Sequence, residues 1–246
     1  MSDKKIQVVL IAGKKGSGKT TVANALKKEL LKSNIKSEVL SFATPIKEFL
    51  IDGNILTESS AYGDDKQKEE RTKVKAHSLP KEIRKKYKWG LDYTLSTRDV
   101  LQIFGNDICK MFNEFIWVDK MNKRINKVIK ENNEIEIIII DDFRFSSIET
   151  CLPFNLLKVY LNLNIVEDDK EDSFFKRLKR IFIPKKYNNK KHKSENSIDI
   201  GFVDMVLEVN HKIPCNDIAT AKAIKYEIER RKLTKEDNIW RSLVLQ

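Results

Sequence analysis

The chain contains few cysteines, few glycines and no long apolar run, and each scarcity excludes a class of protein. Three cysteines in 246 residues show no CxxC spacing, which argues against a disulfide framework or a cysteine metal site and favours buried thiols in a reducing compartment. No run reaches the roughly 18 apolar residues that cross a bilayer. The first residues lack the cleavage pattern of a signal peptide. We therefore expect a cytoplasmic protein, in the host cytoplasm if the chain is viral, with no membrane partner.

The composition is that of a folded basic protein. Hydrophobic residues make up 41% and charged residues 34% of the chain, which indicates a globular protein, and the length suits one α/β domain over 1–246. The net charge is +11, but acidic residues interleave with most lysines, and the excess of Lys, Asn and Ile is also typical of an AT-rich coding sequence. We therefore expect no stable nucleic-acid partner, and assign the charge at most to attracting anionic ligands.

Apolar periodicity predicts alternating strands and helices, and hence a doubly wound α/β fold. Strands are predicted at 6–11, 37–42, 135–140, 156–163 and 204–209, and helices at 19–32, 97–111, 117–130 and 217–233. A further helix is predicted to start with Thr44 as its N-cap and Pro45 at its first position. Ser96 and Asp99 form the pattern of a capping box, and Met111 is predicted to belong to the buried stripe of the helix that follows. The charge-dense residues 52–95 are interpreted as an inserted cap or long loop with short helices.

The glycines are concentrated in one loop. Residues 13–20 read Gly-Lys-Lys-Gly-Ser-Gly-Lys-Thr and match the pattern G-x-x-x-x-G-K-[ST] at each fixed position. Glycine allows the backbone angles that turn successive N–H groups inward to form an anion-binding nest, and the following helix adds its N-terminal dipole. The sequence therefore predicts a loop that binds the phosphates of ATP. Its contacts are assigned to Gly13, Gly16, Ser17, Gly18, Lys19, Thr20 and Thr21.

A carboxylate at the end of a neighbouring strand completes such a site, because Mg²⁺ prefers oxygen ligands. Asp141 and Asp142 directly follow the apolar run IEIIII. Successive side chains of a strand point to opposite faces, so only one of the two aspartates is expected to face the phosphates. We predict that Lys19 reaches the β- and γ-phosphates and that Thr20 and Asp141 hold Mg²⁺.

The loop predicts a bound triphosphate but does not define the reaction. Asn126-Lys127 is followed by Val-Ile, so the N-K-x-D motif with which GTPases read the base is absent. A helicase or transporter ATPase would typically be larger or have several domains. A charge-dense cap and a basic segment at 168–200 favour phosphoryl transfer to a small acceptor behind a lid that excludes water.

Several stretches occur in the order seen in phage-type deoxynucleoside monophosphate kinases, and the chain resembles that family except in residues 52–95 and about the last twenty. They are IAGKKGSGKTT, SFATPIKEFL, STRDVLQIFGNDICKMFNEFIWVDKM, IIIDDFRFSSIE and HKSENSIDI…VDMVLEVN. The helix pattern R-x-x-x-Q-x-x-G with its downstream Trp is the more telling motif. The resemblance implies an α/β P-loop kinase fold with a doubly wound parallel sheet of about five strands. It also implies a helical cap that binds the nucleoside monophosphate at 44–116, and a mobile lid at 168–200.

The resemblance further implies the residues of the site. The catalytic set is Lys19, Arg98, Asp142 and Arg144. The acceptor-binding set is Lys15, Ile46, Lys47, Arg98, Gln102, Gly105, Asn106, Trp117, Asp142, Arg144 and Glu149, and Arg177 and Arg180 are lid residues. Asn106 replaces a threonine of the family, and Glu149 is displaced by one position from the family's glutamate. Three of these residues have a purely structural alternative: Trp117 as a core residue, Lys47 as a solvated helix residue and Glu149 as surface charge.

The activity implied by the resemblance is transfer of the γ-phosphoryl group of ATP to a (deoxy)nucleoside monophosphate, a step of deoxynucleotide biosynthesis that uses Mg²⁺. The alternative is a phosphomevalonate kinase, whose family shares a similar loop, a PLKE-like segment and a D-x-R strand end. Gln102 and Trp117 favour a nucleobase. The identity of the monophosphate, the preference for deoxyribose or ribose, and the choice between monomer and homodimer stay open.

Overall fold

A computed structural model describes residues 6–14, 16–108, 111, 113, 115–143, 152–163, 203–210, 213 and 215–244, with the side chains of Asp65 and of residues 233–244 excluded. The strands are β1 (Gln7–Gly13), β2 (Ser37–Leu40), β3 (Arg71–Lys75), β4 (Thr94–Ser96), β5 (Ile137–Phe143), β6 (Asn155–Leu163) and β7 (Met205–Val209). The helices are α1 (Lys19–Leu31), α2 (Ala43–Asp52), α3 (Glu58–Tyr62), α4 (Asp65–Glu69), α5 (Lys81–Tyr87), α6 (Thr97–Ile103), α7 (Ile116–Glu131) and α8 (Asn216–Val244). The chain forms two compact units, one from 1–41 and 128–246 and the other from 42–127.

The first unit contains a parallel five-stranded sheet, and the predicted fold class is confirmed. Among the described residues the strands lie in the order β2-β5-β1-β6-β7, and every neighbouring pair is parallel. β1 lies between β5 and β6, at the place where the order of the connections reverses. Ligands of open α/β sheets bind outside the carboxyl ends of the strands at such a point.

The sheet forms because its central strands are apolar on both faces. Val8, Val9, Leu10 and Ile11 of β1 and Ile137–Ile140 of β5 are fully buried. One face packs against α1 and α8, which meet each other through side chains such as Leu26 and Ile224. This burial holds the loop after β1 at a constant position relative to the end of β5.

Strand β5 continues past its apolar run and contains an irregularity at its end. The sequence predicted a strand that ends at the aspartates, but β5 includes both of them and Phe143. Leu10 pairs with Ile140 whereas Ala12 pairs with Phe143, so β5 has one more residue than β1 over this interval. Such a bulge redirects side chains and is common next to active sites. The bulge lies at Asp141 and Asp142, the two residues between Ile140 and Phe143.

The second unit is built mainly from short helices. Residues 52–95 are more regular than predicted, because α3, α4, α5 and the antiparallel pair β3–β4 lie within them or at their edge. Their apolar residues share one core with α6, which includes Leu79, Ile83, Leu95 and Val100. The weak periodicity of the sequence did not reveal this core, since elements of five to seven residues contribute only one or two buried side chains each.

Four local predictions about these elements have clear outcomes. The capping box of Ser96 and Asp99 is confirmed at the start of α6. The prediction of Thr44 as an N-cap is wrong, because α2 already begins at Ala43. The continuous helix over 97–111 is wrong as well, since α6 passes into a π-helical turn at 104–108, and Met111, predicted to be buried, is 66% exposed.

Of the three cysteines, Cys215 is exposed, contrary to the prediction of a buried thiol, whereas Cys109 and Cys151 lie outside the described residues. No helix in the described part of the chain is long and apolar enough to cross a membrane.

Candidate active site

The glycine loop joins β1 to α1 with backbone angles that favour glycine. The φ angles of Gly13, Gly16 and Gly18 are 154°, 79° and 74°. At Gly13 an added Cβ would lie 2.5 Å from Ser17 Oγ and 2.6 Å from the Leu161 carbonyl oxygen, so a side chain is excluded by contact as well as by angle. Gly18 is the N-cap of α1 and has no side chain with which to cap it. The first amides of α1 therefore remain available to an anion.

Lys19 lies in the first turn of α1, and its side chain turns back over the loop. Its Nζ donates to the carbonyl oxygens of Gly13, at 2.9 Å, and Lys14, at 2.8 Å. The contacts hold a positive charge directly at the nest. Lys15, predicted to contact the acceptor, lies outside the described residues. Thr21, predicted to bind the nucleotide, lies exposed on the first turn of α1.

Ser17 is fully buried within the loop, and its hydroxyl has no hydrogen-bond partner in the part of the chain that the structure describes. A buried hydroxyl without a partner is costly. The glycine angles, the uncapped helix start, the Lys19 ammonium and this hydroxyl together fit the phosphate chain of a nucleotide.

Thr20 and Asp141 are brought together from distant parts of the sequence. The Thr20 hydroxyl donates a hydrogen bond of 2.7 Å to Oδ2 of Asp141 at the end of β5. Asp141 is only 8% exposed, and this burial raises the pKa of its carboxyl; the hydrogen bond from Thr20 opposes the rise, and the charge of Asp142 adds to it. A hydroxyl and a carboxylate are oxygen ligands of the kind that Mg²⁺ prefers, so this pair fits the predicted metal site.

Asp142 makes a different contact. The Ser41 hydroxyl, just after β2, donates a hydrogen bond of 2.6 Å to Oδ2 of Asp142. The structure thus places the two neighbouring carboxylates on different hydroxyl groups, one from α1 and one from the end of β2. Ser41 was missed by sequence reasoning. The sequence feature that could have identified Ser41 is its position near the carboxyl end of a predicted strand. The carboxyl ends of parallel strands lie at one edge of a sheet, and β2 and β5 are neighbours in this one.

Seven of the eleven predicted acceptor residues lie in the second unit, whereas Lys15, Asp142, Arg144 and Glu149 belong to the first. Arg98 is in the first turn of α6, half-buried, and its Nε donates to the carboxylate of Glu69 on α4. Gln102 follows one turn later and is exposed. Glu69 was not predicted, and nothing in the sequence distinguishes it from the other charged residues of 52–95.

Three further acceptor residues contact one another around the π-helical turn. The Trp117 indole Nε1 donates a hydrogen bond of 3.0 Å to the carbonyl oxygen of Gly105. A Cβ on Gly105 would lie 3.1 Å from Ile46 Cδ1, so a side chain there would crowd α2. Asn106, next in the turn, is half-buried. π-Helical turns are frequent at functional sites.

Lys47, also on α2, has its Nζ 4.5 Å from the centroid of the Tyr62 ring. Its positive charge is therefore held over an aromatic face, a contact that the sequence did not predict. The predicted lid at 168–200 lies outside the described part of the chain. Besides Lys15, the predicted site residues outside it are Arg144, Glu149, Arg177 and Arg180.

One comparison with known proteins bears on this site. The sequence model of the adenylylsulphate kinase family matches residues 5–50. This stretch contains β1, the glycine loop, α1, β2 and most of α2. The match places the chain in the P-loop kinase superfamily. No curated protein matches the chain.

The matched stretch and the sheet together support a coarse description of the protein. The matched family suggests a phosphotransferase that acts on a small molecule, and P-loop kinases in general use ATP and Mg²⁺. The match ends before α6 and therefore includes none of Arg98, Gln102 or Trp117.

Proposed function

We propose that the protein transfers the γ-phosphoryl group of ATP to the 5′-phosphate of a deoxynucleoside monophosphate, giving ADP and the deoxynucleoside diphosphate. The observation that carries the kinase part is the hydrogen bond between Thr20 and Asp141 beside the glycine loop. The nature of the acceptor is supported by the spacing of Arg98, Gln102, Gly105 and Trp117, through the family that this spacing resembles.

On the donor side, the loop amides and Lys19 bind the phosphates of ATP and neutralise the charge that develops during transfer. Thr20 and Asp141 would hold Mg²⁺, which supplies charge neutralisation on the phosphate oxygens when it is bound. Burial raises the pKa of Asp141, and a cation bound there would oppose this rise because it favours the ionised carboxylate.

On the acceptor side, a monophosphate needs orientation rather than activation. Its attacking oxygen is already anionic, so no general base has to remove a proton. Arg98 offers a planar guanidinium that can bind two phosphate oxygens at once, and Glu69 orients this group through its Nε. Gln102 lies one turn further along α6, where an exposed amide can hydrogen-bond a base edge. Catalysis then consists of alignment and charge neutralisation.

The test is an acceptor panel in which release of ADP is measured for the purified full chain. The panel contains dTMP, dGMP, dCMP, hydroxymethyl-dCMP, the ribonucleotides, phosphomevalonate and adenylylsulphate. We expect turnover with at least one deoxynucleoside monophosphate at a rate well above that with the last two compounds. Failure with every nucleotide, or preferred turnover of phosphomevalonate or adenylylsulphate, would contradict the proposal.

The matched control is Lys19→Ala purified in the same way. Its loss of the activity shows that the ADP comes from this loop and not from a contaminating kinase. A second variant, Arg98→Ala, separates acceptor binding from ATP binding, because it is expected to raise the KM for the acceptor while leaving the KM for ATP unchanged. An equal rise in both KM values would show that Arg98 does not act specifically in binding the acceptor.

A further inference from the structure

Residues 71–88 have the strongest local concentration of positive charge in the second unit. They contain eight Lys or Arg residues and a single carboxylate, Glu82. Six lysines are exposed, and the five of them other than Lys86 are together called the lysine surface: Lys73, Lys75, Lys81, Lys85 and Lys88. Lys73 and Lys75 lie two positions apart on β3 and so share one face of the two-stranded sheet. Lys81 and Lys85 lie one turn apart on α5, and Lys88 caps its C-terminus.

These lysines differ from the cations beside them. Arg71 lies 3.9 Å from a carboxylate oxygen of Asp99, and Lys86 pairs with Asp107. Within the part of the chain that the structure describes, by contrast, no carboxylate lies at ion-pair distance from any residue of the lysine surface. Their charges are therefore balanced by solvent ions rather than by carboxylates of the described residues.

An aromatic stack joins β3 and α5, the two elements that carry four of these lysines. The rings of Tyr87, Trp89 and Tyr93 lie face to face, with centroids 4.6 Å and 5.3 Å apart. The Arg71 guanidinium lies 4.8 Å from the Tyr93 ring and joins β3 to the stack, whereas Tyr87 belongs to α5. The Tyr87 hydroxyl is also bonded to Asp107, at 2.7 Å. α5 and β3 are therefore fastened to each other, and the cations are displayed on ordered elements.

We propose, against the expectation from the overall composition, that the lysine surface binds the phosphate backbone of duplex nucleic acid without reading its sequence, because residues 71–88 lack the interleaved carboxylates of the rest of the chain. Lysines that lack acidic partners gain most from phosphates, because each phosphate that is neutralised releases a condensed counterion. Contacts of this kind position a protein on a duplex and carry no base specificity. The proposal is independent of the acceptor that the kinase uses.

Three observations favour a duplex over other polyanions. Single-strand binders stack bases on open aromatic faces, but here Trp89 lies between two tyrosines, and Arg71 and Lys86 lie over the outer rings. A membrane-binding surface would carry several aromatic or aliphatic side chains that can insert beside the lysines, whereas within residues 71–93 Leu91 alone is an exposed large hydrophobic side chain. Protein interfaces are depleted in lysine, so an acidic protein is a poorer match than a phosphate backbone.

The test measures binding of the full chain to a fluorescent duplex of about 20 base pairs by anisotropy, across a salt series. We expect log Kd to rise linearly with log salt, and binding to the duplex to be tighter than binding to the same single strand. The variant Lys81→Ala/Lys85→Ala/Lys88→Ala should lower the salt slope by about 2 to 3, because each lost phosphate contact lowers it by about one. Its kinase activity should stay unchanged.

The matched control removes the same charge from α7, as Lys120→Ala/Lys123→Ala/Lys130→Ala, where all three lysines are exposed. We expect this variant to bind like the wild type. An equal loss in both triple variants would assign the binding to net charge alone and overturn the proposal. Absence of duplex binding at 50 mM salt, tighter binding to the single strand, or tighter binding to polyglutamate or to anionic phospholipid vesicles would overturn it too.

The outcome can be separated from that of the proposed kinase activity by the variant Lys19→Ala. This variant should lose turnover and keep the duplex affinity and salt slope of the wild type. A loss of duplex binding in Lys19→Ala would instead place the binding at the glycine loop, against the proposal.

Discussion

The hydroxyl of Thr20 and the carboxylate of Asp141 are 2.7 Å apart although 121 positions separate them in the chain. α1 begins directly after the loop that follows β1, and β5 is the neighbour of β1 in the sheet, so both side chains reach the same edge. The contact joins the glycine loop, which fits the phosphates of a nucleotide, to the carboxylate that can bind the accompanying Mg²⁺.

The first prediction concerns the hydroxyl of Thr20. Thr20→Val removes the oxygen but keeps the shape of the side chain, so the variant should need about 10- to 100-fold more Mg²⁺ for half-maximal turnover. Thr20→Ser keeps the hydroxyl and should stay within a fewfold of the wild type. The measurement is a Mg²⁺ titration of ADP release. Equal Mg²⁺ requirements of the Val variant and the wild type would exclude Thr20 as a ligand.

The second prediction concerns the charge of Asp141. Because burial raises its pKa in the folded state, the carboxyl contributes stability while it is protonated, and this contribution is lost as the pH rises through the raised pKa. Asp141→Asn keeps an oxygen that accepts from Thr20 and removes the buried charge. We expect a higher melting temperature than that of the wild type near pH 8, a smaller difference toward pH 4, and turnover lower by about 100-fold or more.

Thermal unfolding without Mg²⁺ over this pH range checks the stability part, and the standard ADP assay checks the activity part. A variant that is less stable than the wild type at pH 8 would mean that the ionised carboxylate stabilises the fold, against the prediction.

The third prediction compares three glycines by substitution with alanine. Gly13 combines a positive φ with contacts of 2.5 Å and 2.6 Å, Gly16 has a positive φ with open space around it, and Gly90 has open space and an ordinary φ. The free energy of unfolding should fall by about 3 kcal/mol or more for Gly13→Ala, by about 1–2 kcal/mol for Gly16→Ala, and by less than about 0.5 kcal/mol for Gly90→Ala. Urea denaturation of the three variants gives the order. If Gly13→Ala destabilises the protein no more than Gly16→Ala does, the glycine loop relaxes around the added methyl group.

The fourth prediction concerns Glu69, which orients Arg98. Glu69 is 61% exposed at its side chain, and exposed ion pairs contribute at most about 1 kcal/mol, so Glu69→Ala should raise the KM for the acceptor by no more than about fivefold. Neither kcat nor the KM for ATP should change. Glu82→Ala on α5 is the control, since Glu82 is also an exposed carboxylate of the second unit. A similar rise in that variant, or a fall of the acceptor KM in Glu69→Ala, would contradict a positioning role for Glu69.

The glycine loop and the central sheet could be predicted from the sequence because their signals are local. The spacing Gly13–Thr20 defines the nest, and apolar runs such as IIII at 137–140 exist only where a strand is buried on both faces. The second unit could not be predicted in this way. Its core is assembled from elements of five to ten residues, whose few buried positions, such as Leu79 and Ile83, form no period along the chain.

The same distinction applies to the side chains of the site. Lys19 belongs to the loop motif, and its contacts with the carbonyl oxygens of Gly13 and Lys14 join residues only a few positions apart. The partners Ser41 for Asp142 and Glu69 for Arg98 depend on which strands and helices become neighbours after folding. The bulge in β5 likewise has no signature in the apolar run before it. It lies at the two aspartates and affects the directions in which their side chains point.

The sequence by itself determined that this protein has a phosphate-binding loop between a buried strand and a helix, because the required backbone angles demand glycine at set spacings. Only the tertiary structure decided that Ser41 meets Asp142, which residue pairs with Arg98 and where a group of lysines lacks acidic partners among the described residues. Those relationships depend on distances between segments remote in the chain, and such distances are set by packing.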